Sequence, residues 1–195
     1  MIDPEYSDPL DLFQQWFQEA ELSEGNDPNA VALATATANG VPSVRMVLMK
    51  RVDERGFCFF TNAESEKGKQ LEQNPQAAMC FHWKTLRRQV RVEGSITELP
   101  PAAVDAYFHS RSRRSQIGAA VSQQSRPLAS RAELEEKVRD FAAQHPGEVP
   151  RPPYWVGYCL FAERIEFWSD GADRLHDRFL YTRGAGQWRR TRLYP

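Results

Sequence analysis

The residues best suited to chemistry in this sequence are basic, and they come in groups. Residues 174–179 read Arg-Leu-His-Asp-Arg-Phe. On an extended segment the side chains of Arg174, His176 and Arg178 face one way. Two guanidiniums beside the imidazole disfavour its charged form, which leaves a neutral hydrogen-bonding partner for a bound anion. A second group is Arg45, Lys50 and Arg51, and a third is Arg87, Arg88 and Arg91. A fourth, Arg111, Arg113, Arg114, Arg126 and Arg131, lies in a stretch with no acid between Asp105 and Glu133. Arginine is the side chain for forked contacts to carboxylate and phosphate. Any one group fits a solvated, salt-bridged surface. Four groups with Ser, Thr, Gln and Tyr among them point to a pocket for small anions.

Other chemistries lack their signatures. There is no CxxC or HExxH, and the four histidines are scattered, so no metal site is expected. GxGxxG and GxxxxGK[ST] are absent, so a nucleotide-like cofactor would not sit on a Rossmann turn or a P-loop. Cys58, Cys80 and Cys159 are widely spaced in apolar segments and read as buried free thiols of a reducing cytoplasm. No apolar run reaches the ~20 residues that span a bilayer, and no signal peptide is visible. A cytoplasmic protein without a membrane partner is expected.

The elements that must position these residues are mostly strands. Asp8 and Pro9 open a helix with Leu10, Phe13, Trp16, Phe17 and Ala20 on one face. Residues 30–37 form a strand, Asn39-Gly40 a two-residue hairpin turn, and 41–52 one long strand. Residues 57–61 follow as an aromatic strand. Ser65 opens a short helix that ends before Pro75. Residues 76–83 and 86–98 make a hairpin. Helices are expected after Pro100-Pro101, over 115–122, and over 131–144 behind a Ser130 cap with Glu133. Further strands are expected at 154–161, 165–168, 179–182 and 187–193. The reading is one mainly β domain over 1–195, an antiparallel small barrel with inserted helices (α+β). It carries an acidic N-terminal segment and helix over 1–28 and a helical insertion over 99–146.

With 195 residues, 41% hydrophobic and 26% charged, the chain can bury a sizeable core. Its formal net charge of -1 excludes a generically basic nucleic-acid binder. The sum hides an asymmetry: residues 1–44 hold eight acids and no Lys or Arg. From Arg45 onward 25 bases face 18 acids, and twenty of the bases are Arg.

Nine stretches in this order resemble pyridoxine (pyridoxamine) 5′-phosphate oxidases, flavin enzymes of vitamin B6 metabolism. They are 45–50 (RMVLMK), 59–62 (FFTN), 88–91 (RQVR), 107–111 (YFHSR), 115–118 (SQIG), 122–125 (SQQS), 165–168 (IEFW), 174–179 (RLHDRF) and 192–195 (RLYP). The resemblance runs from about Asp8 to the C-terminus. It implies an FMN-binding split β-barrel that works as a homodimer with FMN at the interface. The implied reaction oxidises pyridoxine or pyridoxamine 5′-phosphate to pyridoxal 5′-phosphate. Hydride passes from C4′ to flavin N5, and O₂ becomes H₂O₂.

Residue by residue, the resemblance implies that Arg45, Met46, Val47, Leu48 and Lys50 lie along the flavin and its phosphate. Phe60 and Thr61 contact the flavin, and Lys67 holds its phosphate. Gln89, Gln124, Ser125, Trp168 and Arg178 complete that site. Lys50, Tyr107, Arg111 and Ser115 hold the substrate, the last three through its phosphate. Arg174, Leu175 and His176 cover its ring, with Arg174 and His176 as the catalytic pair. Two departures stand out. Glu66 occupies a position that is usually Arg, and the N-terminus lacks the basic arm common in such proteins. Alternatives are a related split-barrel oxidase of the phenazine type, a non-catalytic flavin- or pyridoxal-phosphate-binding protein, and an RNA-binding module.

Overall fold

The structure, a computed structural model, describes residues 6–195. The first five residues of the acidic segment, with Asp3 and Glu5, lie outside the described residues. In chain order the elements are α1 (Pro9–Ser23), β1 (Ala30–Ala36), β2 (Pro42–Leu48), β3 (Arg51–Asp53), β4 (Gly56–Asn62), α2 (Glu66–Gln73), β5 (Gln76–Trp83) and β6 (Arg88–Glu98). There follow α3 (Pro101–Ser110), α4 (Arg113–Val121), α5 (Arg131–Gln144), β7 (Trp155–Ser169), a 3-10 turn at Ala172–Arg174, β8 (Asp177–Arg183) and β9 (Trp188–Arg192). The strands form one antiparallel sheet in the order β2-β1-β5-β6-β7-β4-β3, with β8 on β7 and β9 on β8.

The 15-residue β7 organises the fold. Its first half pairs with β4, from Trp155 opposite Asn62 to Leu160 opposite Phe57. Its second half pairs with β8, from Arg164 opposite Thr182 to Ser169 opposite Asp177. One strand therefore changes partner along its length and curls the sheet. The sequence reads two strands here, with a break near 162–164. Instead Glu163 is an extra residue opposite the Glu93/Gly94 step of β6, and the strand runs through it as a bulge.

Two further expectations are corrected. The single strand read over 41–52 is two, because the backbone crosses between partners: Met49 N–H bonds Asn29 O and Lys50 N–H bonds Cys58 O. β2 pairs with β1, whereas β3 pairs with β4. The β1–β2 loop also spans 37–41 rather than two residues, with Thr37 N–H bonding Val41 O and Gly40 at φ 80°.

The core lies between α1 and the concave sheet face. Asp8 caps α1 by accepting from Leu10 N, and Phe13, Trp16 and Ala20 are buried. Phe13 meets Phe57 and Phe81 edge-on at 4.8 and 5.1 Å, and Trp16 meets Phe167 at 5.2 Å. Perpendicular rings at these separations are the favoured arrangement. A second cluster joins α3 and α4 to β4 and β7 through Val104, Phe108, Ile117 and Trp155.

Cys58 and Cys159 belong to that second cluster, and they are not free thiols as the sequence suggests. The β4–β7 register puts them directly opposite each other, and they form a disulfide across a sequence separation of 101. Spacing along the chain cannot reveal a pairing made by strand register. Cys80 is the free cysteine. Thiol titration of the denatured chain should find one reactive group before reduction and three after. Three without reductant would contradict the pairing. Among the described residues no helix is long and apolar enough to cross a membrane.

Candidate active site

A cavity of about 730 Å³ opens between β2, β4 and the α3–α4 junction. That size is in the range of small-ligand sites. One wall is built by three nearly parallel rings. Phe60 lies 4.0 Å from Tyr107 and 5.3 Å from Trp155, tilted by only 19° and 10°. Backbone alternation places Phe60 on this wall while Phe57 and Phe59 enter the core. The opposite wall is β2. Its apolar residues Val44, Met46 and Leu48 are 70%, 63% and 39% exposed, an unusual allocation for a strand.

One end of the cavity is an anion corner made by α2. Ser65 caps this helix by accepting from Gly68 N. Lys67 is 8% exposed, and its Nζ donates to Thr61 Oγ1 at 2.9 Å, Ser65 Oγ at 3.2 Å and Gln124 Oε1 at 2.5 Å. All its partners are neutral. Burial, with Arg45 nearby, pushes the Lys67 ammonium down to about 8. An anion bound beside it would restore the charge. Arg45 borders the adjoining cavity with Lys67, Gln124 and Ser125. Its Nη1 donates to Thr35 Oγ1 at 2.5 Å, and burial lowers its pKa. A buried Lys67 and a half-buried Arg45, neither ion-paired to a carboxylate and both beside a helix N-terminus, form a phosphate-type site.

Glu66 faces this corner too. Its Oε1 accepts from Ser43 Oγ at 3.1 Å and Gln70 Nε2 at 3.2 Å, and its charge supports those of Arg45 and Lys67. It is therefore held sideways by neutral donors rather than ion-paired.

The other end is the α3–α4 junction. Ser112 caps α4 by accepting from Ser115 N, and the two hydroxyls meet at 2.8 Å. Arg111 lies over the Trp155 ring, with Cζ 5.0 Å from its centre. Its Nη1 is buried without a hydrogen-bond partner, and burial lowers its pKa. An unpaired buried donor costs roughly 1–3 kcal/mol. It is the expected signature of a site completed by a ligand.

Thus Met46, Val47, Leu48, Lys50, Phe60, Thr61, Lys67, Tyr107, Arg111, Ser115 and Gln124 border one cavity, with Arg45 and Ser125 in the adjoining one. Of the remaining residues singled out by sequence, Gln89 shares a third cavity with Met46, whereas Trp168, Arg174, Leu175, His176 and Arg178 border none of these three. Gln89, Trp168 and Arg178 lie in one row across β6, β7 and β8, Gln89 opposite Trp168 and Trp168 opposite Arg178. Along β7 this row is eleven residues from Gly157, the partner of Phe60. At ~3.3 Å per residue that is roughly 36 Å of strand.

The second group also has its own internal supports. Glu166 is 8% exposed and accepts from Arg178 Nε at 2.8 Å and Arg91 Nη1 at 3.2 Å. His176 Nδ1 lies 3.1 Å from Asp170 Oδ1, and its ring is 4.7 Å from that of Trp168. The charged neighbour of His176 is therefore a carboxylate. This corrects the extended reading of 174–178. Asp173 and Arg174 have φ of 54° and 64° in the 3-10 turn, and β8 starts only at Asp177. Strand alternation therefore does not apply to the three side chains. Arg174 has no ion pair among the described residues, and Leu175 is 73% exposed.

Sequence reasoning missed Trp155, Asn62 and Ser112 in the cavity, and Asp170 and Glu166 behind the second group. The Ser-x-x-Ser spacing at 112–115, a helix-cap pattern, could have pointed to Ser112. Trp155 carries no local signal, because its partners come from β4 and α3.

At physiological ionic strength, affinity for a phosphate ligand in the α2 corner should fall as pH rises through about 8. The Lys67 pKa is lowered, so its charge is present below that value and lost above it. An isothermal titration series from pH 6.5 to 9.5 checks this. Lys67→Arg should remove the decline, and an unchanged slope would contradict it.

Comparison with known proteins identifies the family and the fold. Residues 18–145 match the family model described as pyridoxamine 5′-phosphate oxidase. Residues 155–195 match the pyridoxine 5′-phosphate oxidase C-terminal dimerisation region. The chain is 55% identical over 194 residues to the pyridoxine/pyridoxamine 5′-phosphate oxidase of Brucella anthropi, covering 98% of this chain and 96% of that one. It is also 55% identical to the protein of that name from Erythrobacter litoralis, covering 97% and 92%. Among solved structures, PhzG from Burkholderia lata 383, in complex with tetrahydrophenazine-1-carboxylic acid, superposes with a TM-score of 0.94 at 32% identity, covering 100% and 96%. A pyridoxamine 5′-phosphate oxidase-related, FMN-binding protein from Nostoc punctiforme shares the fold, with a TM-score of 0.80 at 19% identity, covering 96% and 98%. With the split-barrel sheet and both matched regions in the same order along the chain, this protein belongs to the pyridoxamine 5′-phosphate oxidase family.

Proposed function

We propose that this chain oxidises pyridoxine 5′-phosphate and pyridoxamine 5′-phosphate to pyridoxal 5′-phosphate, using FMN, as a homodimer. The observation that carries the reading is the cavity with two separate anion corners, Lys67 with Arg45 at one end and Arg111 with Ser115 at the other. Two phosphate esters, one on the cofactor and one on the substrate, need such a pair.

The donor set fits FMN. Lys67, Arg45 and Ser125 suit its phosphate, and the apolar face of Met46 and Leu48 suits a flat ring. When bound, FMN supplies the hydride acceptor and passes the electrons to O₂, which leaves as H₂O₂. The protein supplies position. Arg111 and Ser115 hold the substrate phosphate, and Tyr107 packs beside it on Phe60. Lys50, on the break between β2 and β3, reaches into the cavity between the two corners. Arg174 and His176 cover the substrate ring at the reacting carbon, where the guanidinium steadies developing negative charge. His176 is oriented by Asp170 and Trp168.

The second group of residues belongs to the site of a second copy. Gln89, Trp168, Arg178, Arg174 and His176 of one chain meet the cavity of the other. The exposed β2 face and the match of 155–195 to a dimerisation region support this. In a two-fold dimer each copy then completes the other.

The likeness to PhzG favours one second reading, an oxidase of a reduced phenazine-type acid. The test is to load the protein with FMN and supply each substrate in air. The proposal expects pyridoxal 5′-phosphate and H₂O₂ in equal amounts from the B6 phosphates. Failure to bind FMN, or turnover only with tetrahydrophenazine-1-carboxylic acid, would overturn it.

A further inference from the structure

The segment 122–130 between α4 and α5 carries two of the cofactor residues, Gln124 and Ser125, yet little packs on it. Residues 123–130 are all exposed. Ser125 has φ of 71°, a left-handed conformation that costs a non-glycine residue of order 1 kcal/mol. Something must hold this conformation in place.

Four side-chain ties do so, beside a longer one from Thr61 Oγ1 to Gln124 Oε1 at 3.5 Å. At the root, Asn62 Nδ2 donates to Ser122 O at 3.4 Å. Next, Gln124 Oε1 accepts from Lys67 Nζ at 2.5 Å, and Ser125 Oγ accepts from Glu66 N at 3.2 Å. Last, Arg126 Nη2 donates to Glu64 Oε2 at 2.6 Å. The second and third ties use Lys67 Nζ and an amide of the α2 N-terminus, the donors that a bound phosphate would take. An arriving anion competes with them. The Glu64–Arg126 pair lies outside the anion corner and survives its arrival.

We propose that the Glu64–Arg126 ion pair is a latch that positions the 123–126 turn, so that Gln124 and Ser125 stay in place when a phosphate replaces their contacts to α2. Both residues are positioning residues, and neither touches the cavity. The proposal rests on the FMN reading above for the identity of the anion. The pair is about half exposed on both sides, 47% and 49%, so global stability gains little from it. Its effect is local, because the turn has few other contacts and the ion pair limits its freedom before binding.

The test measures FMN affinity by quenching of flavin fluorescence, and amide exchange across 122–127, in the full-length apoprotein. Arg126→Ala and Glu64→Ala should each weaken FMN two- to fivefold and speed exchange in the turn, with an unchanged melting temperature. The double variant should be no weaker than either single, as partners in one interaction are non-additive. The charge-swapped chain, Glu64→Arg with Arg126→Glu, should recover most of the affinity. Unchanged affinity in the single variants, fully additive losses, or no recovery on swapping would overturn the latch. If the parent protein itself fails to bind FMN, the functional reading falls. Faster exchange in the single variants would then still support the latch, and unchanged exchange would refute it.

Discussion

Arg174→Ala should lower kcat for pyridoxine 5′-phosphate oxidation by about 100-fold, the scale of one lost electrostatic contact to a transition state, near 2.7 kcal/mol. FMN affinity should stay within about threefold of the parent. The structure explains the separation. Arg174 stands on a turn with two consecutive residues at positive φ, Asp173 and Arg174. Such strain costs of order 1–3 kcal/mol per residue and persists where a side chain must be presented in an otherwise unfavourable direction. The Arg174 guanidinium is exposed and forms no ion pair among the described residues. Its removal therefore costs the fold little. Gln89, Trp168 and Arg178, given to the cofactor, stand on β-ladder positions that the substitution does not reach. Steady-state kinetics with a parallel FMN titration decide the matter. Equal loss of turnover and FMN affinity would contradict the role given to Arg174.

Arg111→Ala should act on the other parameter. Loss of a charge-assisted contact to phosphate removes about 1.5–3 kcal/mol of binding, so KM should rise roughly 10- to 150-fold. Because the contact is made equally before and during reaction, kcat should change little. The free protein should not be destabilised. Arg111 Nη1 is already buried and unpaired, so truncation removes a desolvation cost along with the packing on Trp155. Substrate-saturation curves and a thermal melt read both effects. An unchanged KM would rule out the phosphate contact, and a large drop in melting temperature would mark Arg111 as structural.

Much of the fold is visible along the chain where signals are local. Asp8-Pro9, Ser65 and Ser130 mark helix starts, and all three cap as expected. Where partners are remote, local signals fail. The strand read over 41–52 divides because Met49 and Lys50 bond to different neighbours. The 162–164 break is a bulge because β6 supplies a continuous partner on its other side. The Cys58–Cys159 pairing and the Trp155 wall depend on register between segments about a hundred residues apart.

The site shows the same division. The Arg groupings pointed to anions, and two of them do line the cavities, through Arg45 and Arg111. Alternation on an extended segment does not govern Arg174, His176 and Arg178, since the turn before β8 breaks the period. The resemblance to known oxidases named both groups of residues, but not that β7 holds them eleven residues apart. On the proposed reading, that separation has a sharp consequence: a complete site draws residues from two chains.

A heterodimer tests this most directly. One copy carries Arg111→Ala and the other Arg174→Ala, each with a different affinity tag, and the mixed species is isolated and assayed for pyridoxal 5′-phosphate formation. If each site draws Arg111 from one chain and Arg174 from the other, one of the two sites is intact, and activity should return to about half that of the parent dimer. If both residues serve the same chain's site, every site is damaged, and the heterodimer should be as impaired as the single-variant homodimers.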